Sequence, residues 1–448
     1  MSKTIGLISL GCAKNQVNAE QMLYMLQQAG YEILPDPDGA DLVIINTCGF
    51  IESAKSEAID NILAMGQLKA EGRVGKILVT GCLAQRYQLE ILEEMPEVDG
   101  VLGTGSYYDT VNAVNQLLKG KTYARFDSID APIDEVGRIL TTPEYYAYLK
   151  IAEGCDNKCS YCVIPSLRGR FRSRRIEEIL YEARTLAADG VKELIVVAQD
   201  TSRYGIDLYG KTRLAELLRE LCRIDGFEWI RVHYLYPDEI DDELIEVIAS
   251  EPKIVKYLDL PIQHVNSQIL TMMNRRGDGS YLHQLFTKLR ERIPGLVLRT
   301  SLICGLPGEG EAEFEELCAF LKEYRLERVG AFVFSPEEGT KAAEMPYPDK
   351  ETAQRRADII TELQSRIMDD YNASCIDTEM RVLCEGYDPD EDCYFGRTYA
   401  DSPDLDGKIW FTSEEYVRPG WFVDVYVTDS YDGELVGVRK EDYDDDCE

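Results

Sequence analysis

Cys155, Cys159 and Cys162 lie within one eight-residue stretch. Three thiolates that close can hold three irons of a [4Fe-4S] cube and leave the fourth iron to a ligand that is not protein. An open iron implies chemistry rather than electron storage. A zinc site would need a fourth ligand, and His233, His264 and His283 have no zinc-like spacing with these cysteines. Tyr161, just before the third cysteine, is an aromatic suited to lie beside an adenine or to pack locally.

A second set is dispersed along the chain. Cys12 follows the apolar run TIGLISL, Cys48 follows DLVIIN and Cys82 follows KILVTG, at separations of 36 and 34 residues. Each stands beside a glycine, Gly11, Gly49 or Gly81. If the three runs are parallel strands, their C-terminal ends share the sheet edge where open α/β proteins place ligands. The alternative is three unrelated small buried side chains. Equivalent placement after three strands favours a second cluster with its own open iron.

The elements that must position these residues follow from hydrophobic period. From residue 4 to about 120, apolar runs alternate with helical stretches at 18–29, 52–66 and 84–95, a βαβ pattern with a parallel sheet. Periodicity is lost over 121–145, which carries Pro132 and Pro143. Strand-like runs then recur at 146–151, 193–198, 229–235, 257–262, 296–303 and 329–334, with helical segments such as 176–188, 238–250 and 311–324 between them. Six β/α units fit a partial barrel, since a complete one needs eight. An amphipathic stretch over 351–372 leads out, and from about 376 the chain is β-rich with Gly, Asp and Pro turns, as in a small barrel. The expected fold class is therefore α/β. It comprises an N-terminal parallel α/β domain (1–125), a linker (126–145), a partial (β/α)6 barrel with a trailing helix (146–375), an all-β domain (376–442) and an acidic, solvated tail (443–448).

Composition narrows the function. The 448 residues suit several domains, and 45% hydrophobic with 29% charged residues is ordinary globular usage. A net charge of -33 is far from that of a general nucleic-acid binder. No secretory signal pattern or run of about 18 apolar residues is present, so a cytoplasmic protein without membrane spans is expected. In that compartment 13 cysteines point to metal or catalysis rather than disulfides. Walker A, GxGxxG and HExxH patterns are absent.

CDNKCSYC resembles the CxxxCxxC signature of radical S-adenosylmethionine enzymes. Two cysteine sets in tandem, followed by RPGWFVDVYV and ELVGV that look like a TRAM module, resemble the methylthiotransferase family over nearly the whole chain. The resemblance implies two [4Fe-4S] clusters, held by Cys12, Cys48 and Cys82 and by Cys155, Cys159 and Cys162. It also implies S-adenosylmethionine as cofactor and an electron donor such as flavodoxin or ferredoxin. In that family one S-adenosylmethionine methylates sulfur held at the N-terminal cluster, and a second is cleaved to a 5′-deoxyadenosyl radical that removes a substrate hydrogen.

Members modify either a tRNA adenosine or an aspartate of ribosomal protein S-twelve. SLGCAKNQVNAE, NTCGFIESAK, IPSLRGRFRSR, AQDTSRYG and YLDLPIQH look like the second, RimO-type branch, with mild departures at Ala13 and Gly310. Charge agrees: residues 376–448 hold 22 acidic and six basic residues, which would repel RNA and attract a basic ribosomal protein. Arg168, Arg170, Arg172, Arg174 and Arg175 form one short basic run with little aromatic interleaving, suited to cofactor carboxylate, substrate acid or the nearby Glu177 and Glu178. The alternatives are a tRNA methylthiotransferase and a non-catalytic iron-sulfur carrier or sensor.

Overall fold

Leu42–Thr47 is buried along its whole length, as expected of a strand covered on both faces. The computed structural model, which describes residues 3–445, places it centrally in a six-stranded parallel sheet. The strand order is Glu32–Ile33, Thr4–Ser9, Leu42–Thr47, Lys76–Gly81, Gly100–Leu102 and Tyr123–Arg125. Glu32–Ile33 is too short to show a period in the sequence, yet it sends the chain to one edge before it returns to the other side of Thr4–Ser9. That reversal opens a crevice at the C-terminal ends of Thr4–Ser9 and Leu42–Thr47.

The helices of this domain differ from expectation in two places. The first runs over Ala13–Gln28, five residues earlier than its apolar period suggests. Cys12 is its N-cap, and the Cys12 carbonyl accepts from the N–H groups of Asn15 and Gln16. The stretch 84–95 is two short helices, Cys82–Tyr87 and Glu90–Glu94, because Gln88 turns at φ 47°. Residues 126–145 have neither helix nor strand but are tied down as a strap. Glu20, on the first helix, accepts from Arg138 at 3.1 Å and from the Thr141 N–H at 2.9 Å.

The second sheet has six parallel strands, Tyr146–Lys150, Glu193–Val197, Trp229–Val232, Ile254–Asp259, Val297–Cys304 and Arg328–Val333, paired in that order without closure. Two strand ends need correction. Ile254–Asp259 lies three residues before the expected 257–262, because Pro261 lacks the N–H to continue a ladder. Trp229–Val232 stops before Tyr234, whose φ of 60° is left-handed. Ala147, Leu149, Leu194, Val196 and Ile230 face the helices in one large core. Their neighbours Tyr146, Tyr148, Ile195 and Val197 line the concave face, where Ala13 and Val17 of the first helix pack against them.

Lys350–Cys375 is the expected trailing helix and leads into a closed five-stranded barrel. The barrel strands are Glu379–Asp388, Cys393–Arg397, Ile409–Thr412, Phe422–Tyr431 and Glu434–Arg439. The loop between its second and third strands closes the floor of the larger barrel. There Tyr257 donates to Asp406 at 2.7 Å, Arg328 to Asp401 at 2.8 Å and Arg231 to the Tyr399 carbonyl at 2.9 Å. The expected solvated tail is partly wrong: Lys440–Asp445 is a short helix, with Tyr443 stacked on Tyr426 at 4.1 Å. Residues 446–448 of that tail lie outside the described residues. No helix among the described residues is long and apolar enough to cross a membrane.

Candidate active site

Cys12, Cys48 and Cys82 come together at the crevice. Their strands are adjacent, with Ser9 opposite Asn46 and Thr47 opposite Gly81, so the three following turns share one edge. The approach is close enough to require glycine. A Cβ on Gly11, at φ 88°, would stand 2.8 Å from the Cys48 Cβ, and one on Gly49 would stand 2.8 Å from the Leu83 backbone. Exposure grades from Cys12, which opens to solvent, through Cys48 to buried Cys82.

The electrostatics suit a positively charged guest. Burial, then the neighbouring Cys82, pushes the Cys48 thiol up to about 11. Cys82 is also pushed up by burial, against the pull of Arg168. Cys12, open to solvent but set among protein atoms that strip part of its water, moves down instead, because Lys14, Arg168 and the Asn15 N–H outweigh that desolvation. Thiols that resist ionisation, as Cys48 and Cys82 do, are stabilised as thiolates by metal, which replaces their protons. Among the described residues no three His, Cys, Asp or Glu side chains are close enough for a single metal ion. A cube does not ask three thiolates to meet at one ion, because each of its irons takes one.

The other set sits on the loop after Tyr146–Lys150, at the rim of the larger barrel. Its base is clamped by the two-stranded pairing of Ala152–Glu153 with Arg172–Ser173 and by the Cys155 N–H donating to the Gly169 carbonyl at 3.1 Å. Ser160 secures its crest, with its N–H donating to the Met273 carbonyl at 2.9 Å and its hydroxyl to the Met272 carbonyl at 3.0 Å. Burial raises the Cys155 thiol to about 12 and pushes Cys162 still higher. The Ile164 N–H donates to the Cys162 sulfur at 3.4 Å, and Arg275 reaches the Cys159 sulfur at 3.9 Å. Cations and N–H groups aimed at sulfur fit an anionic cluster. Tyr161 packs beside Ile269, Met273 and Leu306, and its hydroxyl accepts from Arg275 at 3.0 Å.

Several residues of the site were not assigned these roles by spacing alone. Arg168, in the short Ile164–Arg168 helix after the cysteine loop, donates to the Cys82 sulfur at 3.3 Å, to Asn18 at 2.8 Å and to Asn15 at 2.7 Å. The arginine run therefore does not engage Glu177 and Glu178 as one expectation had it. Arg174 instead pairs with Glu135 and Glu182. Asn15 stands three residues after Cys12, so the pattern Cys-x2-Asn at a helix start was the available signal. Glu153, held by Lys150 at 2.8 Å and Gln199 at 2.7 Å, is brought down to about 2 by Lys150 and Arg168 against its burial. The turn Cys304–Glu309 is braced from within, as Glu309 accepts from the Gly305 N–H at 2.9 Å and from Arg356 at 2.8 Å.

Family models fall on the three parts of the fold: an uncharacterized protein family, UPF0004, at residues 4–103, the Radical SAM superfamily at 149–321 and the TRAM domain at 376–439. A ribosomal protein uS12 methylthiotransferase RimO of Thermoanaerobacter sp. (strain X514) is 47% identical over 437 residues, covering 97% of this chain and 99% of the relative. The chain belongs to the RimO family of radical S-adenosylmethionine methylthiotransferases.

A second RimO relative, from Caldanaerobacter subterraneus subsp. tengcongensis, is 48% identical with 97% of this chain and 99% of the relative covered. Among solved structures, the radical S-adenosylmethionine methyltransferase TsrM of Kitasatospora setae superposes with a TM-score of 0.57 at 15% identity, covering 76% of this chain and 77% of that one. That likeness bears on the fold alone. For the RimO family, membership of the Radical SAM superfamily brings with it a [4Fe-4S] cluster and S-adenosylmethionine.

Proposed function

We propose that this enzyme adds a methylthio group to the β-carbon of an aspartate in ribosomal protein uS12 (S-twelve), in the cytoplasm. Cys155, Cys159 and Cys162 would hold the cluster that reduces S-adenosylmethionine, and Cys12, Cys48 and Cys82 an auxiliary cluster that carries the sulfur. The observation that carries the two-cluster reading is that Arg168, on the helix directly after the Cys155–Cys162 loop, donates to the Cys82 sulfur of the other set. When bound, the first cluster supplies the electron that makes an unactivated C–H bond reactive.

The chain's own residues then have separable tasks. Ser160, Arg275 and the clamped loop base fix the first cysteine set on the rim. Tyr161, on a wall with Met273 and Leu306, is proposed to flank the cofactor's adenine. The first helix and the floor loop close the concave face, which keeps water from the reaction. The domain limits read from sequence are kept as a proposal, supported by the breaks between the three family matches.

The protein target is favoured over RNA by the net charge of the C-terminal domain, with 22 acidic and six basic residues from 376 on. A flavodoxin- or ferredoxin-like donor is proposed to deliver the electron. The test is mass spectrometry after anaerobic incubation with S-adenosylmethionine, reductant, sulfide, unmodified uS12 and unmodified tRNA. A methylthio gain on a uS12 aspartate is expected. A gain on tRNA would overturn the target, and intact S-adenosylmethionine would favour the carrier alternative.

A further inference from the structure

Lys14 is 7% exposed, and among the described residues no carboxylate lies within ion-pair distance of its ammonium. It leaves the first turn of the Ala13–Gln28 helix, two residues after Cys12, and crosses to the barrel rim, where its Nζ sits 3.3 Å from the centre of the Tyr234 ring. Tyr234 follows the Trp229–Val232 strand, on the same rim as the Cys155–Cys162 loop. Lys14 thus runs from the helix that Cys12 caps to the barrel rim that carries the other cysteine set.

The nearby groups are already engaged. Asp259 spends one carboxylate oxygen on Arg299 at 2.9 Å and the other on the Tyr234 N–H at 3.2 Å. The Cys82 sulfur has its cation in Arg168, and Cys12 feels the Lys14 charge through space. Tyr234 is itself held in the left-handed region, a conformation that clusters at functional sites. An ammonium removed from water is expensive unless an anion meets it, and a ring face offsets only part of that cost.

We propose that Lys14 is the substrate-binding cation of this site: it takes the side-chain carboxylate of the residue to be modified and so holds the adjacent carbon between the two clusters. The proposal rests on the uS12 reading, because it requires a substrate that brings its own carboxylate. It adds the means by which an aspartate is distinguished from a neutral side chain.

The experiment is a binding cycle by fluorescence anisotropy on the anaerobic holoenzyme. It uses labelled uS12 and uS12 whose target aspartate is replaced by asparagine, against the parent enzyme, Lys14→Met and Lys14→Arg. Iron content and the EPR spectrum are recorded for each. The parent should lose about tenfold or more in affinity on the Asp→Asn change, as loss of a charged hydrogen bond costs about 1.5–3 kcal/mol. Lys14→Met should lose less than about twofold on the same change, whereas Lys14→Arg should keep most of the discrimination. Equal losses in parent and Lys14→Met would overturn the proposal. So would lowered iron or an altered EPR spectrum in Lys14→Met, since Lys14 would then serve the Cys12 cluster. Should Lys14→Met not fold, Lys14→Gln replaces it, and discrimination equal to the parent's in a folded Lys14→Gln would overturn the proposal. Binding of an anticodon stem-loop RNA that weakens in Lys14→Met would assign the cation to phosphate instead. Failure of the uS12 reading is seen separately, as no mass gain on uS12 with the parent enzyme.

Discussion

Arg168 and Cys82, 86 residues apart in sequence, are joined by a 3.3 Å hydrogen bond from guanidinium to sulfur. The same guanidinium holds Asn15 and Asn18, so the helix after the radical loop and the helix after Cys12 meet on one planar group. Arg168→Met should leave the first cluster intact and reduce auxiliary-cluster iron by about half or more, since each lost charged hydrogen bond costs about 1.5–3 kcal/mol. Arg168→Lys should not restore it, because an ammonium carries its three N–H groups on one atom and cannot span the sulfur and two amide oxygens that the planar fork reaches. Iron and sulfide quantification with EPR of both variants decides this.

The two cysteine sets should be separable by function. Cys159→Ala is expected to abolish reductive cleavage of S-adenosylmethionine while keeping about half the iron. Cys48→Ala should also keep about half the iron. It should still yield 5′-deoxyadenosine but no methylthio product. Product chromatography beside iron analysis checks both, and a Cys48→Ala protein that still modifies uS12 would remove the auxiliary-cluster role.

Glu337 fastens the cysteine-bearing turns to the barrel, accepting from Arg86 at 2.7 Å and lying 3.2 Å from Lys55. Arg86 also donates to the Gly49 carbonyl at 3.1 Å. Burial would raise the Glu337 carboxyl, but Ser335, Arg86 and Lys55 outweigh it and hold it low. A carboxyl depressed in the folded state stabilises above its unfolded value and loses that contribution as pH falls through its folded value. Hydrogen exchange over 82–88 and 335–340 should therefore accelerate only below the ordinary glutamate range near 4.5. Glu337→Gln should exchange faster already at pH 7 and show no such step.

Glu193 is buried between two arginines, Arg231 at 2.8 Å on the neighbouring strand and Arg397 at 2.7 Å in the C-terminal barrel. Glu193→Gln leaves both cations short of charge in a dry interface, and about 3–5 kcal/mol of stability should be lost. Urea unfolding of the parent and variant measures it. A loss under 1 kcal/mol would show that the interface admits water.

Much of this arrangement is legible in sequence because strands buried on both faces announce themselves and glycine beside cysteine marks a turn. The runs ahead of Cys12, Cys48 and Cys82 are of that kind, and so are the six strands of the partial barrel. Glu32–Ile33 escapes because two residues have no period, although it is what creates the crevice. Lys14 and Arg168 escape for another reason. Their roles depend on a contact between distant segments, and a single lysine or arginine reads the same whether it is solvated or buried against a partner.

The floor of the catalytic barrel is built from the far end of the chain. Ser402, fully buried, meets the ring of His233 at 3.1 Å, and Asp401 and Asp406 meet Arg328 and Tyr257. During synthesis the six-stranded sheet emerges with those polar groups uncovered, and they are neutralised only when residues 398–406 leave the ribosome. The radical-generating part thus takes its floor from a loop of the acidic module proposed to recruit uS12. Chamber floor and target-choosing barrel are therefore one continuous stretch of chain, and neither can be removed without opening the other.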